Sequence, residues 1–286
     1  MANNSYVLRR RAQLKSRIRQ GALTTVLLAG GLIIVTPIVW VALSSLKRAD
    51  EILTIPLKWI PDNLFNFANY EEVLVRNDFG RYFLNSFIVT GMSIAVSLIV
   101  ALFAAYAFAY FNFKFKEPIF LLVLALFMVP PEALVIPQYL MVANLGLVNT
   151  YLGLAFPDLF TVLGVYLLRQ FMEGIPISYV EAARVDGARE VKILFRIIMP
   201  MVAPAMVVFI IIKFLFSWNA FLWPLLVAQS ETMYTVTVGL VGFAGSTYIP
   251  WNLINAATML SMLPLIILFV TLQRYLVRGV ALSGMK

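Results

Sequence analysis

The sequence predicts an all-α integral membrane protein: six transmembrane helices, both termini cytoplasmic, and a cytoplasmic helical loop between spans four and five. Three observations carry that expectation. The 286 residues are 62% hydrophobic and only 13% charged, where soluble domains run about 45–50% and about 25%. Six stretches approach or exceed the roughly 20 apolar residues that a helix needs to cross about 30 Å of hydrocarbon. The cations gather on alternate connecting segments, as they do where positive charge stays inside.

In order, the stretches are 22–46, 83–111, 118–141, 151–172, 203–227 and 253–277. The first follows a basic segment, 1–21, with Arg9, Arg10, Arg11, Lys15, Arg17 and Arg19. That flank resembles the start of a signal peptide. However, the apolar run far exceeds a signal core of about 7–15 residues and has no small-residue cleavage site, so it is expected to remain as the first helix. Residues 22–286 then form one transmembrane domain, with no repeat or linker marking a second. The loop 47–82 carries Pro56, Pro61, mixed charges and Trp59, Phe65, Phe67 and Tyr70, too polar for lipid, and is expected to pack as a small outer cap.

An even number of spans puts both ends on one side. With the N-terminus inside, the inner cations are the six above plus Lys114, Lys116, Arg169, Arg184, Arg189, Lys192, Arg196, Arg274, Arg278 and Lys286. The outer ones are Lys47, Arg48, Lys58, Arg76 and Arg81, while Lys213 falls within a span. Sixteen against five favours cytoplasmic termini. The net charge of +8 therefore reports topology, and nucleic-acid binding is not expected.

The chain has no Cys and no His, which excludes disulfides, thiolate or imidazole metal sites and histidine- or cysteine-based catalysis. It also lacks the G-x-x-x-x-G-K-[ST] phosphate loop. If nucleotide hydrolysis powers this protein, the ATPase must be another polypeptide docked on an inner surface.

One inner loop, 173–202, is conspicuous. Good helix formers flank Asp186-Gly187, so the run Glu181-Ala182-Ala183-Arg184-Val185-Asp186-Gly187 reads as a helix ending on a glycine cap, with a second helix beyond it. Pro200 marks where that second helix bends or stops. This stretch resembles the EAA loop of the inner-membrane permeases of binding-protein-dependent ABC importers: E-A-A, three residues, G, nine residues, I, one residue, L-P. Glu181, Ala182, Ala183, Gly187, Ile197 and Pro200 fall on the pattern, and Met199 stands where Leu is usual, a near volume-conserving exchange. Asn85-Ser86, Ala105-Tyr106-Ala107-Phe108, Trp218-Asn219, Leu222-Trp223-Pro224-Leu225, Gln273-Arg274 and Arg278-Gly279 resemble the carbohydrate-uptake permeases of maltose type, over roughly residues 20–286.

The resemblance implies a permease subunit of a bacterial or archaeal plasma membrane, itself not an enzyme. It implies three partners: a sister permease of the same fold, two copies of an ABC ATPase that hold the ATP and Mg²⁺, and an extracytoplasmic solute-binding protein. In that reading Glu181, Ala182, Ala183, Asp186, Gly187, Ile197 and Pro200 couple the spans to the ATPase. The cargo would be a sugar, oligosaccharide or polyol; glycerol 3-phosphate is the alternative, and a stand-alone ion-coupled transporter would need repeats that are not visible.

Candidates for the solute pathway are few. Lys213 lies about ten residues into the fifth span, where an ionisable group costs on the order of 2.5–3.5 kcal/mol to insert; it either binds a polar or anionic solute or snorkels or pairs with a carbonyl. Asp158, after Pro157, and Glu132, after Pro130-Pro131, sit at proline breaks, where freed backbone is tolerated only beside a cavity or protein. Both could contact solute hydroxyls, and Asp158 could equally cap or hydrogen-bond a broken helix. Trp218, Asn219 and Trp223 form an aromatic and carboxamide cluster of the kind that holds sugars or lines an interface. Gly91, Ser93, Ser97, Ala101, Ala104 and Ala105 read as a small-residue surface for helix packing.

Overall fold

The computed structural model describes residues 2–76, 78–243 and 249–283, with side chains over 20–75, 78–243 and 249–272. The side chains of the basic N-terminal segment, Arg76, Gln273-Arg274, Arg278 and Lys286 lie outside those described.

Among the described residues every regular element is helical. In chain order these are α1 (Ala2–Ser44), α2 (Ala49–Ile52), α3 (Ala68–Glu71), α4 (Phe79–Tyr110) and α5 (Lys116–Ala125). There follow α6 (Pro131–Asn144), α7 (Tyr151–Ala155), α8 (Val162–Glu173), α9 (Ser178–Val185) and α10 (Glu190–Ile193). The last five are α11 (Met199–Met201), α12 (Ala203–Trp218), α13 (Leu222–Val227), α14 (Val236–Gly242) and α15 (Trp251–Ser283). The chain divides into two compact units, residues 1–73 with 250–259, and residues 74–249 with 260–286.

In the first unit, the apolar stretch of α1 exposes Leu27, Leu32 and Ile33, each 70% or more accessible. A helix that is apolar all round and unburied by its own chain calls for lipid or a partner. Beyond α1 the chain folds back on itself. Asn69 donates to the Ser45 and Lys47 carbonyls at 2.7 and 2.8 Å and accepts from Asn252 at 2.8 Å. Lys47, wholly buried, sits 4.0 Å above the Trp40 ring and donates to the Lys58 carbonyl, and Trp40 meets Trp59 edge-on at 5.0 Å. Burial pulls the Lys47 ammonium below its ordinary pKa. These polar contacts tie the segment 45–70 back onto the end of α1.

The second unit is organised by α4. Ser93, Ser97, Ala101 and Ala105 recur every four residues and are completely buried, so their small side chains form one face. Gly91, read as part of that surface, is exposed and has open space around it. Gly164 of α8 comes so close to α4 that an added Cβ would stand 2.9 Å from the Ala101 methyl and 2.8 Å from the Phe209 ring.

Among the described residues three helices are long and apolar enough to cross a membrane unbroken: Gln20–Ser44, Phe79–Tyr110 and Trp251–Leu272. The stretch 118–141 is bent by 100° between Lys116–Met128 and Pro131–Asn144, at the expected proline break. Val129 precedes Pro130 and Pro130 precedes Pro131, and a residue before proline is pushed out of the helical region; ψ is 115° and 132° at these two positions. The 151–172 stretch bends by 48° after Leu159, where Phe160 and Thr161 are extended. The 203–227 stretch is two pieces, because α12 ends at Trp218 and α13 begins at Leu222.

Candidate functional site

Two regions of the second unit gather the predicted residues. The first is the loop 173–202. α9 ends at Val185 with Asp186 as its C-terminal cap, and Gly187 adopts φ +77°, a left-handed conformation that side chains disfavour. The amides of Gly187 and Ala188 then close on the Arg184 and Ala183 carbonyls at 3.0 and 2.9 Å, capping the helix where the sequence pattern placed its break. The second helix runs past Ile193 through a widened turn at Leu194–Ile198 to Met201. Pro200 has no N–H to give to the carbonyl four residues back, which favours such a turn. The bend falls two residues later than Pro200, at Val202, and measures 80°.

One side of this loop belongs to the core. Val180, Ala183, Ile193, Leu194 and Ile198 cluster with Ala101, Ala105 and Tyr106 of α4 and with Leu168 and Met172 of α8. Ala183 is therefore turned toward its own chain, not available as a docking surface with Ala182, and Ile197 packs partly against the same cluster. Glu181, Ala182, Asp186, Gly187 and Pro200 remain exposed.

Beside the glycine, Arg184 grips Glu190 with Nε on Oε1 at 2.7 Å and Nη2 on Oε2 at 3.2 Å. The Tyr106 hydroxyl donates to the same carboxylate at 2.6 Å. These bonds, the Arg184 one foremost, hold the Glu190 carboxyl below the usual carboxylate range and raise the Arg184 guanidinium. Helices on both sides of Gly187 are thereby tied to the end of α4. Sequence reasoning named Tyr106 only as part of a resemblance and passed over Glu190; an acid and a base six residues apart across a glycine were the available signal.

The second region is a cavity of about 510 Å³ between α4, the third and fourth stretches and α12. Lys213, 7% exposed, meets Asp158 at Nζ–Oδ1 2.7 Å. Neither snorkelling nor a carbonyl partner accounts for Lys213, and Asp158 is no helix cap. Each balances the other, because a buried charge without a partner is costly. Ser217, one helical turn beyond Lys213, lines the same cavity, and its buried hydroxyl has no hydrogen-bond partner among the described residues. Phe160, Phe216 and Trp223 supply aromatic wall.

The other pathway candidates lie apart from that cavity. Trp218 is 2% exposed, stacks on Phe214, touches Phe83 and Phe87 and donates to the Ser261 carbonyl at 3.1 Å, which makes it core. Asn219 is exposed, and its carboxamide donates to the Leu215 carbonyl at 2.8 Å, closing the end of α12. Glu132 is exposed in the first turn of α6, where its charge suits the helix dipole.

Comparison with known proteins places this architecture. Residues 93–282 match the family described as the binding-protein-dependent transport system inner membrane component. The chain is 32% identical over 267 residues to the arabinooligosaccharides transport system permease protein AraQ of Bacillus subtilis (strain 168), covering 93% of this chain and 95% of that one. It is 31% identical to the sn-glycerol-3-phosphate transport system permease protein UgpE of Agrobacterium fabrum, over 88% and 93% of the two chains. To the melibiose/raffinose/stachyose import permease protein MelC of B. subtilis it is 34% identical, over 80% and 84%. The fold is shared with a chain of a bacterial ABC transporter involved in import of the acidic polysaccharide alginate, at TM-score 0.79 and 23% identity over 89% and 95% of the chains. This protein belongs to the binding-protein-dependent inner-membrane permease family. It is a multi-pass membrane protein whose relatives are permease subunits.

Proposed function

We propose that this chain is one permease subunit of an ATP-driven importer for a sugar or oligosaccharide, with six spans and both termini cytoplasmic in a bacterial inner membrane. Three continuous helices and three bent helix pairs support up to six spans by length and composition, the last pair starting inside the loop at Glu190 and turning by 80° into α12. The relatives named above are bacterial, and nothing supports an archaeal setting. ATP and Mg²⁺ belong to two ATPase subunits; a sister permease completes the pathway, and an extracytoplasmic binding protein delivers the solute.

The observation that carries this reading is the loop 173–202. One face is packed into α4 and α8, and the other presents Glu181, Ala182, Asp186 and Gly187 to a partner. Closure of the ATPases would push on this exposed face. The packed face and the Arg184–Glu190–Tyr106 bonds would pass that displacement to α4, so that helices rock as stiff bodies. Two of the three curated relatives named above are described by oligosaccharide cargo, which supports the sugar reading. Of the pathway candidates, Asp158 and Lys213 line the cavity; Asn219 and Glu132 would meet solute only from exposed helix ends, and Trp218 is core.

The test is a mild-detergent pull-down of the tagged chain, scoring co-purifying subunits and ATPase activity. Two ATPase copies and one further permease are expected. Glu181→Lys should reduce ATPase association at least severalfold without lowering membrane insertion. A chain that purifies alone and moves solute on an ion gradient would overturn the reading.

A further inference from the structure

We infer that this subunit carries a solute site of its own, the cavity around Asp158 and Lys213, built for neutral polyhydroxylated solutes and against anionic ones. The inference rests on the importer reading for its physiological meaning but not for its chemistry. The cavity volume of about 510 Å³ falls within the roughly 300–1,000 Å³ of small-molecule sites. Among the described residues its only charged lining groups are Asp158 and Lys213, and they are bound to each other at 2.7 Å. The lining is therefore electrically neutral.

An anion seeking Lys213 would have to displace Asp158 and sit beside it, leaving two like charges in a poorly solvated space. A neutral hydroxyl faces no such conflict. Asp158 is 32% exposed at its side chain, and among the described residues its Oδ2 has no partner, so it can accept from a solute hydroxyl while Oδ1 keeps Lys213. Ser217 is 7% exposed with its hydroxyl unpartnered among the described residues, and a buried hydroxyl normally finds a partner. A solute hydroxyl would supply it. The indole N–H of Trp223 is already donated to the Gly153 carbonyl at 3.0 Å, so Trp223, with Phe160, offers a ring face. Two hydroxyl partners beside aromatic faces, at zero net charge, describe a sugar or polyol and exclude a phosphate or uronate.

The experiment is equilibrium dialysis of the full chain in lipid nanodiscs against labelled raffinose, maltotriose and sn-glycerol 3-phosphate. At least one neutral oligosaccharide should bind, and sn-glycerol 3-phosphate should not. Ser217→Ala should weaken neutral binding roughly threefold to tenfold, the worth of one hydrogen bond. Asp158→Asn, which frees Lys213, should create binding of sn-glycerol 3-phosphate. Should that variant fail to fold, the charge exchange Asp158→Lys with Lys213→Asp keeps a neutral pair and should remain closed to the phosphate. Three results would overturn the inference: phosphate binding by the parent chain as tight as that of the neutral solutes, neutral binding unmoved by Ser217→Ala, or no neutral binding by a chain that still assembles with its ATPase. The last defeats the site and leaves the importer standing. Neutral binding by a chain that recruits no ATPase does the reverse.

Discussion

The loop 173–202 and the Asp158–Lys213 cavity lie in the same compact unit but are built in opposite ways. The loop takes its shape from residues close together in sequence: a glycine at φ +77°, a proline thirteen residues on, and an acid and a base flanking the turn. The cavity takes its chemistry from residues 55 positions apart that meet only because α12 packs beside the broken fourth stretch. The contrast teaches that the shape of the loop is written locally, whereas the cavity is assembled from several helices. Each kind should fail in its own way when perturbed.

The largest effect is expected at the cavity. Asp158→Asn strands a Lys213 ammonium that is 7% exposed, and breaking a buried pair this way costs about 3 kcal/mol. Lys213→Met strands a carboxylate that is one-third exposed, so it should cost less. Thermal unfolding of both variants and of the double variant checks this; equal losses, or no recovery in the double variant, would break the claim that the two charges exist for each other.

Next comes the close approach of α8 to α4. Gly164→Leu should lower stability by about 2 kcal/mol through overpacking and push the Phe209 ring into the cavity. Uptake should fall while ATPase association persists, which separates the cavity from the loop.

In the loop, Gly187→Val has open space for its side chain, so its cost is the left-handed backbone alone, about 1–2 kcal/mol. Gly187→Asn should be milder, since asparagine tolerates that conformation. A steric cause would make the two substitutions equal, and limited proteolysis of the loop distinguishes the cases.

The smallest effect is expected at the clasp. Tyr106→Phe removes one hydrogen bond to Glu190 and should loosen the loop by about 1 kcal/mol, visible as faster amide exchange in α9 and α10. Because the Glu190 carboxyl is held below its ordinary value, its contribution is fully present above the ordinary carboxylate pKa and is lost as pH falls through the lowered one. Loop protection should therefore survive at pH near 4.5 and disappear only in stronger acid. Loss between pH 6 and 5 would contradict the Arg184 pairing.

Much of this was legible in the residues alone. Apolar runs marked the membrane helices, since hydrocarbon thickness fixes a length that composition can meet or miss. The small-residue face of α4 was visible in its four-residue recurrence, apart from Gly91, whose smallness serves no neighbour. The proline breaks were visible as residues, but their consequence was not, because the angle at a break depends on what the second arm packs against. Trp218 carried a misleading signal: an aromatic beside a carboxamide suits a sugar site, and the structure buries it among Phe83, Phe87 and Phe214 instead.

What the sequence determined by itself is whatever depends on nearest neighbours along the chain: membrane helices, the glycine-capped turn, and the motif that places this protein in its family. What only the tertiary structure decided is whatever depends on two distant segments choosing each other. Lys213 and Asp158 each look like a misplaced charge when read singly. Their pairing follows from the low dielectric between packed helices, which makes an opposite charge within reach the cheapest neighbour either can have.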